Sequence, residues 1–85
     1  MTNTAPTPRQ AEVLDFIRRY WVENGRSPTI RDIVQAFGFA TTNAAVCHLK
    51  PLAAKGMIEW EQETARGIWP AGWRDRIREF VETLP

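Results

Sequence analysis

The sequence holds one serine (Ser27), one cysteine (Cys47) and one histidine (His48), and this scarcity removes most catalytic chemistry. One Cys with one His cannot supply four tetrahedral zinc ligands, and a single thiol closes no internal disulfide. There are no paired carboxylates, no Gly-rich phosphate loop and no nucleophile beside a base, so no enzyme, metal or cofactor is expected. A different group of residues has usable spacing. Asn43, Cys47 and Lys50 recur at four and then three positions, with Ala44 and Val46 between them. An asparagine amide can pair with two atoms of an adenine edge, a lysine can reach guanine or phosphate, and an alanine leaves room for close approach. Cys47 admits two readings: a thiol acidified by His48 and Lys50 that serves as a redox switch, or a small apolar contact. The second is adopted.

These residues share a face only on a helix. With Ala45 turned to the core, a step of 100° per residue brings Leu49 and Leu52 to within about 40° of it and sends Asn43, Cys47, Lys50 and Ala54 to the opposite side. His48 falls between core and surface, as a packing or phosphate residue. Thr41 or Thr42 can cap this helix, which starts near Asn43. Pro51 lacks an N–H, and its ring clashes with the Cys47 carbonyl, so a kink or break is expected near Lys50.

Two earlier helices must hold that element. Thr7 with Gln10 three residues on is a capping box around Pro8, and Val13, Leu14, Ile17, Tyr20 and Trp21 recur at helical spacing until Asn24-Gly25. Thr29 with Asp32 caps a second helix, with Ile30, Ile33, Val34 and Phe37 as its stripe and Gly38 past its end. Two short helices joined by a Gly-containing turn form a helix-turn-helix. After Lys55-Gly56 the period changes to 2: Ile58 and Trp60 alternate with Met57, Glu59 and Glu61, and Ile68-Trp69 makes a return strand that Pro70 stops. Last come Trp73, Ile77, Phe80 and Leu84 at heptad spacing, with Val81 beside them. The expected fold is mainly α with a small β-ribbon. A winged helix-turn-helix of three helices and a two-stranded antiparallel wing fills residues 1–70, and an amphipathic helix, a possible dimerisation element, fills 71–85.

Charge is unevenly placed along the 85 residues. The whole chain sums to +1, but residues 1–56 carry seven basic against four acidic side chains, a net +3, whereas 57–69 carry one against three. The positive excess thus lies with the helices, and the wing is acidic except at Arg66. No apolar run reaches the roughly 20 residues needed to span a bilayer, so a cytoplasmic protein without membrane contact is expected.

From Thr7 to Ile68 the chain resembles the N-terminal DNA-binding domain of LexA repressors. The residues that carry this run from Thr7 to Arg18, then Gly25 to Thr29, Ile33, Phe37 to Phe39, Asn43 to Ala45, His48 to Leu52, Lys55 to Glu59 and Arg66 to Ile68. The resemblance implies a third helix that enters the major groove of double-stranded DNA and a place in the SOS response. Where the family typically carries acidic residues this chain has Val46-Cys47, so apolar contact, for instance to a thymine methyl, replaces acceptance from cytosine amino groups. The family's self-cleaving peptidase domain is expected to be missing, and Ala71-Gly72 is read as a hinge.

The expectation is therefore a sequence-specific transcriptional repressor, nucleoid-associated when bound. Base contacts are assigned to Thr41, Asn43, Ala44, Val46, Cys47 and Lys50, and phosphate contacts to Arg9, Thr29, Arg31, Lys55 and Arg66. Trp69 should point away from Ile68, because neighbouring strand residues face opposite sides. Two covers for it are open: the last helix folded back within the monomer, or a homodimer seam of Trp69, Trp73, Ile77, Phe80, Val81 and Leu84. The alternative function is a protein-binding winged helix, a corepressor or antirepressor, that holds a regulatory partner through Trp69 and the last helix.

Overall fold

Local side-chain chemistry sets where each helix begins. The structure, a computed structural model, describes residues 5–61, 66–73 and 76. Helix α1 spans Pro8–Asn24, α2 Ile30–Phe37 and α3 Thr42–Ala54, followed by strands β1, Ile58–Trp60, and β2, Ile68–Pro70. At the start of α1 the Thr7 hydroxyl accepts the Gln10 N–H at 3.2 Å, and the Gln10 carboxamide accepts the Thr7 N–H at 3.1 Å. The same reciprocal pair opens α2, where Thr29 Oγ1 accepts from the Asp32 N–H at 3.0 Å and Asp32 Oδ2 from the Thr29 N–H at 2.8 Å. For α3 the choice between two threonines falls on Thr41, whose hydroxyl accepts the Ala44 N–H at 3.3 Å. Each cap satisfies amides that a first turn leaves without helical partners, which is worth about 1 kcal/mol. Gly25 and Gly38, at φ 69° and 67°, end α1 and α2 in the left-handed region that favours glycine.

One apolar cluster joins the elements. Val13, Leu14 and Ile17 come from α1, Ile33 from α2, Ala45, Leu49 and Leu52 from α3, and Ile58 and Ile68 from the ribbon. α3 packs on both α1 and α2, and β2 packs on α1. The stripe of α2 is narrower than its spacing suggests: Ile33 is buried, whereas Ile30, Val34 and Phe37 are half-buried around it. Trp21 and Trp60, expected in the core, are half-buried at its edge.

The ribbon is antiparallel, with Ile58 opposite Pro70, Glu59 opposite Trp69 and Trp60 opposite Ile68. A Glu61 N–H bond to the Gly67 carbonyl at 2.7 Å closes it toward the tip, and an Ala71 N–H bond to the Met57 carbonyl at 3.0 Å closes the base.

Of the kink or break expected near Lys50, the break does not occur, and α3 runs through Pro51 to Ala54. Leu49 and Leu52, on either side of the proline, are both fully buried and hold the turn to the core. The Cys47 carbonyl that loses its amide partner belongs to an exposed residue, where hydration can replace the bond. The expected last helix falls largely outside the described residues, and with it Ile77, Phe80, Val81 and Leu84. Trp73 is described and half-buried. Among the described residues no helix is long and apolar enough to cross a membrane.

Candidate nucleic-acid interface

The alternation between core and solvent along α3 builds the candidate face. Ala45, Leu49 and Leu52 are wholly buried, while Asn43, Cys47, Lys50 and Ala54 are exposed and Ala44 and Val46 lie half-buried on the flanks. The helix contains no acidic residue. An outward row of amide, thiol and ammonium flanked by small apolar groups offers two kinds of polar contact and little steric bulk. Thr41 is exposed at the head of this row, with its hydroxyl already engaged in the cap.

The five residues expected to hold phosphate have different surroundings. Arg31 is exposed at the start of α2, next to the Thr29 cap. Lys55, just past the end of α3, donates to the Ala5 carbonyl at 3.2 Å and to Gln10 Oε1 at 3.0 Å, so it ties the end of α3 to the start of α1. Arg66 donates to the Ser27 carbonyl at 2.7 Å. Arg9 pairs with Glu12 at 2.8 Å, and its guanidinium lies 5.0 Å from the Phe37 ring centre and 5.4 Å from that of Phe39. Four of the five thus carry intramolecular bonds, Thr29 through its capping pair with Asp32. Thr29, Arg31 and Arg66 gather near the start of α2, Arg9 sits by the turn between α2 and α3, and Lys55 stands at the far end of α3.

Two polar residues escaped the sequence reading of the site. Ser27, read only as part of a turn, is 1% exposed and ties the ribbon to the helices. Its hydroxyl accepts the Ile68 N–H at 3.1 Å and donates to the Pro28 carbonyl at 2.8 Å. Trp21 joins in from α1: its indole N–H donates to the Ile68 carbonyl at 2.8 Å. The Trp21 ring also stacks on Trp69, with centres 6.2 Å apart and planes at 26°. Trp69 does lie on the other side of the ribbon from buried Ile68 and Pro70, but α1 covers part of it. No local pattern signals these pairings, which join residues 41 and 47 positions apart.

The fold changes the acidity of Asp32. The Thr29 backbone N–H, above all, holds its carboxyl below the usual aspartate range; the Thr29 and Tyr20 side chains and the Arg66 charge act the same way, against partial desolvation. A carboxylate there completes the capping box that opens α2.

Comparison with known proteins fits this geometry. The family model described as the LexA DNA binding domain matches residues 3–67. A LexA repressor of Aromatoleum aromaticum is 56% identical over 62 residues, covering 73% of this chain and 30% of that protein. LexA repressors of Ectopseudomonas mendocina and Pseudomonas aeruginosa are 47% and 46% identical over 79 residues, covering 93% of this chain and 39% of theirs. The chain therefore spans 30–39% of the length of these relatives.

Proposed function

Since the chain belongs to the LexA DNA-binding domain family, we propose that it binds double-stranded DNA sequence-specifically as a transcriptional repressor, with α3 in the major groove. The observation that carries this is the outward face of α3, where Asn43, Cys47 and Lys50 are exposed and no acid opposes a polyanion. Asn43 is assigned to an adenine edge, Lys50 to guanine or phosphate, and Val46 with Cys47 to a thymine methyl, with Thr41 and Ala44 at the groove edge. Thr29, Arg31, Lys55 and Arg66 position the backbone, and the α2 N-terminus adds its partial positive charge. Arg66 and Lys55 keep N–H groups beyond those they use internally, so their structural bonds are compatible with a phosphate contact.

A homodimer through Trp69, Trp73, Ile77, Phe80, Val81 and Leu84 would present two half-sites. An SOS-type regulon follows from the repressor name of the relatives. The one serine of these 85 residues is buried and hydrogen-bonded at both ends, so these residues supply no nucleophile for self-cleavage. The protein-binding alternative is less well supported, because its anchor, Trp69, already stacks on Trp21.

Selection on random duplex DNA tests the central reading. The wild type should enrich one motif at moderate salt, and a combined Asn43→Ala, Lys50→Ala variant should lose it while melting at the wild-type temperature. Failure of the wild type to enrich any motif sinks the repressor assignment. Sedimentation of a chain ending at Pro70 tests the seam separately, since an unchanged mass removes the dimer.

A further inference from the structure

Five half-buried rings outside the apolar core form a continuous file across the three helices. Tyr20 and Phe16 of α1 lie 5.8 Å apart, Phe16 meets Phe37 of α2 edge-on at 5.7 Å, and Phe37 stacks on Phe39 of the turn at 5.6 Å. Phe39 in turn stacks on His48 of α3, with centres 5.3 Å apart and planes at 19°. The Arg9 guanidinium lies over both Phe37 and Phe39 and is oriented by Glu12. The file therefore begins on α1 and ends one residue from Cys47 on the reading face.

We propose that Arg9 and Phe39 form a clamp that sets the seat of α3, so that Arg9 acts on DNA binding through the rings and not through phosphate. This rests on the DNA-binding reading above and refines it. An exposed Arg–Glu pair contributes little by itself, so the two ring faces are the stronger reason for the guanidinium to stay where it is. A planar, delocalised cation can lie on two phenyl rings in a way that an ammonium cannot. Of the two rings it covers, Phe39 stacks directly on His48, and Phe37 stacks on Phe39. Phe39 is half-buried against the edge of the core cluster and has no base-reading chemistry, and the clamp accounts for an aromatic ring between Arg9 and His48. Arg9 is thereby a positioning residue.

Salt dependence separates the two roles. A phosphate contact contributes about 0.9 to the slope of log affinity against log salt concentration. Titrations of the full chain against its selected operator should show Arg9→Ala and Arg9→Lys each binding about two- to five-fold more weakly, the scale of a lost cation–π contact. Both should leave the salt slope unchanged, whereas Arg31→Ala should flatten it. Phe39→Leu should weaken binding to a similar degree, and the double variant Arg9→Ala, Phe39→Leu should be no worse than the more damaging single. Wild-type affinity in Arg9→Lys, together with a flattened slope in Arg9→Ala, overturns the clamp and restores Arg9 to phosphate. A second readout needs no DNA: the His48 ring protons, lying against the Phe39 face, should shift in Arg9→Lys and in Phe39→Leu by proton NMR. If those resonances stay in place in both variants the clamp is wrong, even should the wild type bind no duplex and the repressor reading fail on its own.

Discussion

Helix α3 and the wing are attached to the same core by opposite means. α3 is seated by three wholly buried apolar residues, Ala45, Leu49 and Leu52, that have no hydrogen-bond direction to satisfy. The ribbon contributes Ile58 and Ile68 to that core, but its alignment on the helices comes from directional contacts: Ser27 Oγ to the Ile68 N–H, Trp21 Nε1 to the Ile68 carbonyl, and Arg66 to the Ser27 carbonyl. Apolar burial scales with area and tolerates small shifts, whereas a buried hydrogen bond is either made or missing. The seat of α3 should therefore fail gradually with lost volume, and the wing abruptly with one lost atom.

Removing volume from α3 should give the largest effect. Leu49→Ala deletes a fully buried side chain from the cluster that joins α3 to α1 and α2, and about 2–5 kcal/mol of stability should go with it. In a domain of this size that approaches the whole margin. Urea denaturation followed by circular dichroism measures it, and a loss under about 1 kcal/mol would mean that α3 is not seated by its apolar face.

Ser27→Ala should come next, at about 1–3 kcal/mol, because it strands the Ile68 N–H beside a buried position. Its signature differs from that of Leu49→Ala. Amide exchange should accelerate at Ile68 and Glu61 before it does in α3, which reports the wing detaching while α3 stays. Uniform acceleration would abolish the contrast between the two regions.

Trp21→Phe sharpens the same point with a smaller change. It keeps an aromatic ring for Trp69 to rest on and removes the donor to the Ile68 carbonyl together with part of the ring area, so about 1 kcal/mol should be lost. A calorimetric melt of the variant beside Ser27→Ala ranks the two bonds. Equal losses would assign the Trp21 contribution to the indole's size and not to its N–H.

The contrast also explains what the sequence could show. Capping boxes are local events, decided within four residues, so Thr7 with Gln10 and Thr29 with Asp32 announced α1 and α2 correctly. The face of α3 followed from periodicity alone, as did the switch to period 2 at Ile58. Ser27 and Trp21 were misjudged because their partners lie more than forty positions away and nothing near them hints at a donor or acceptor. The ring file was invisible for the same reason, since Phe39 and His48 meet only once the turn has folded. Pro51 erred in the other direction: a strong local preference for a break was outweighed by the burial of Leu49 and Leu52 on either side.

The smallest expected effect lies where the two regions meet. Asp32 caps α2 and feels Arg66 from the ribbon, and its carboxyl is held below the ordinary aspartate range, first by the Thr29 N–H. A lowered folded-state pKa means that the folded protein binds this proton less tightly than the unfolded chain does. The stability from the carboxylate is then complete above about pH 4, the usual aspartate value, and drains away as pH falls through the lower folded value. Asp32→Asn keeps an oxygen for the Thr29 N–H but loses the charge at the helix start, so at pH 7 it should cost under about 1 kcal/mol. The gap between wild type and variant should narrow steadily below pH 4 in denaturant melts. In an Arg66→Ala background the pH 7 gap should shrink somewhat, because one of the charges that favours the carboxylate is gone. A gap that holds its pH 7 size into strong acid would mean that hydrogen bonding alone, without charge, fixes the start of α2, and the ribbon would then have no electrostatic hold on the helix-turn-helix at this residue.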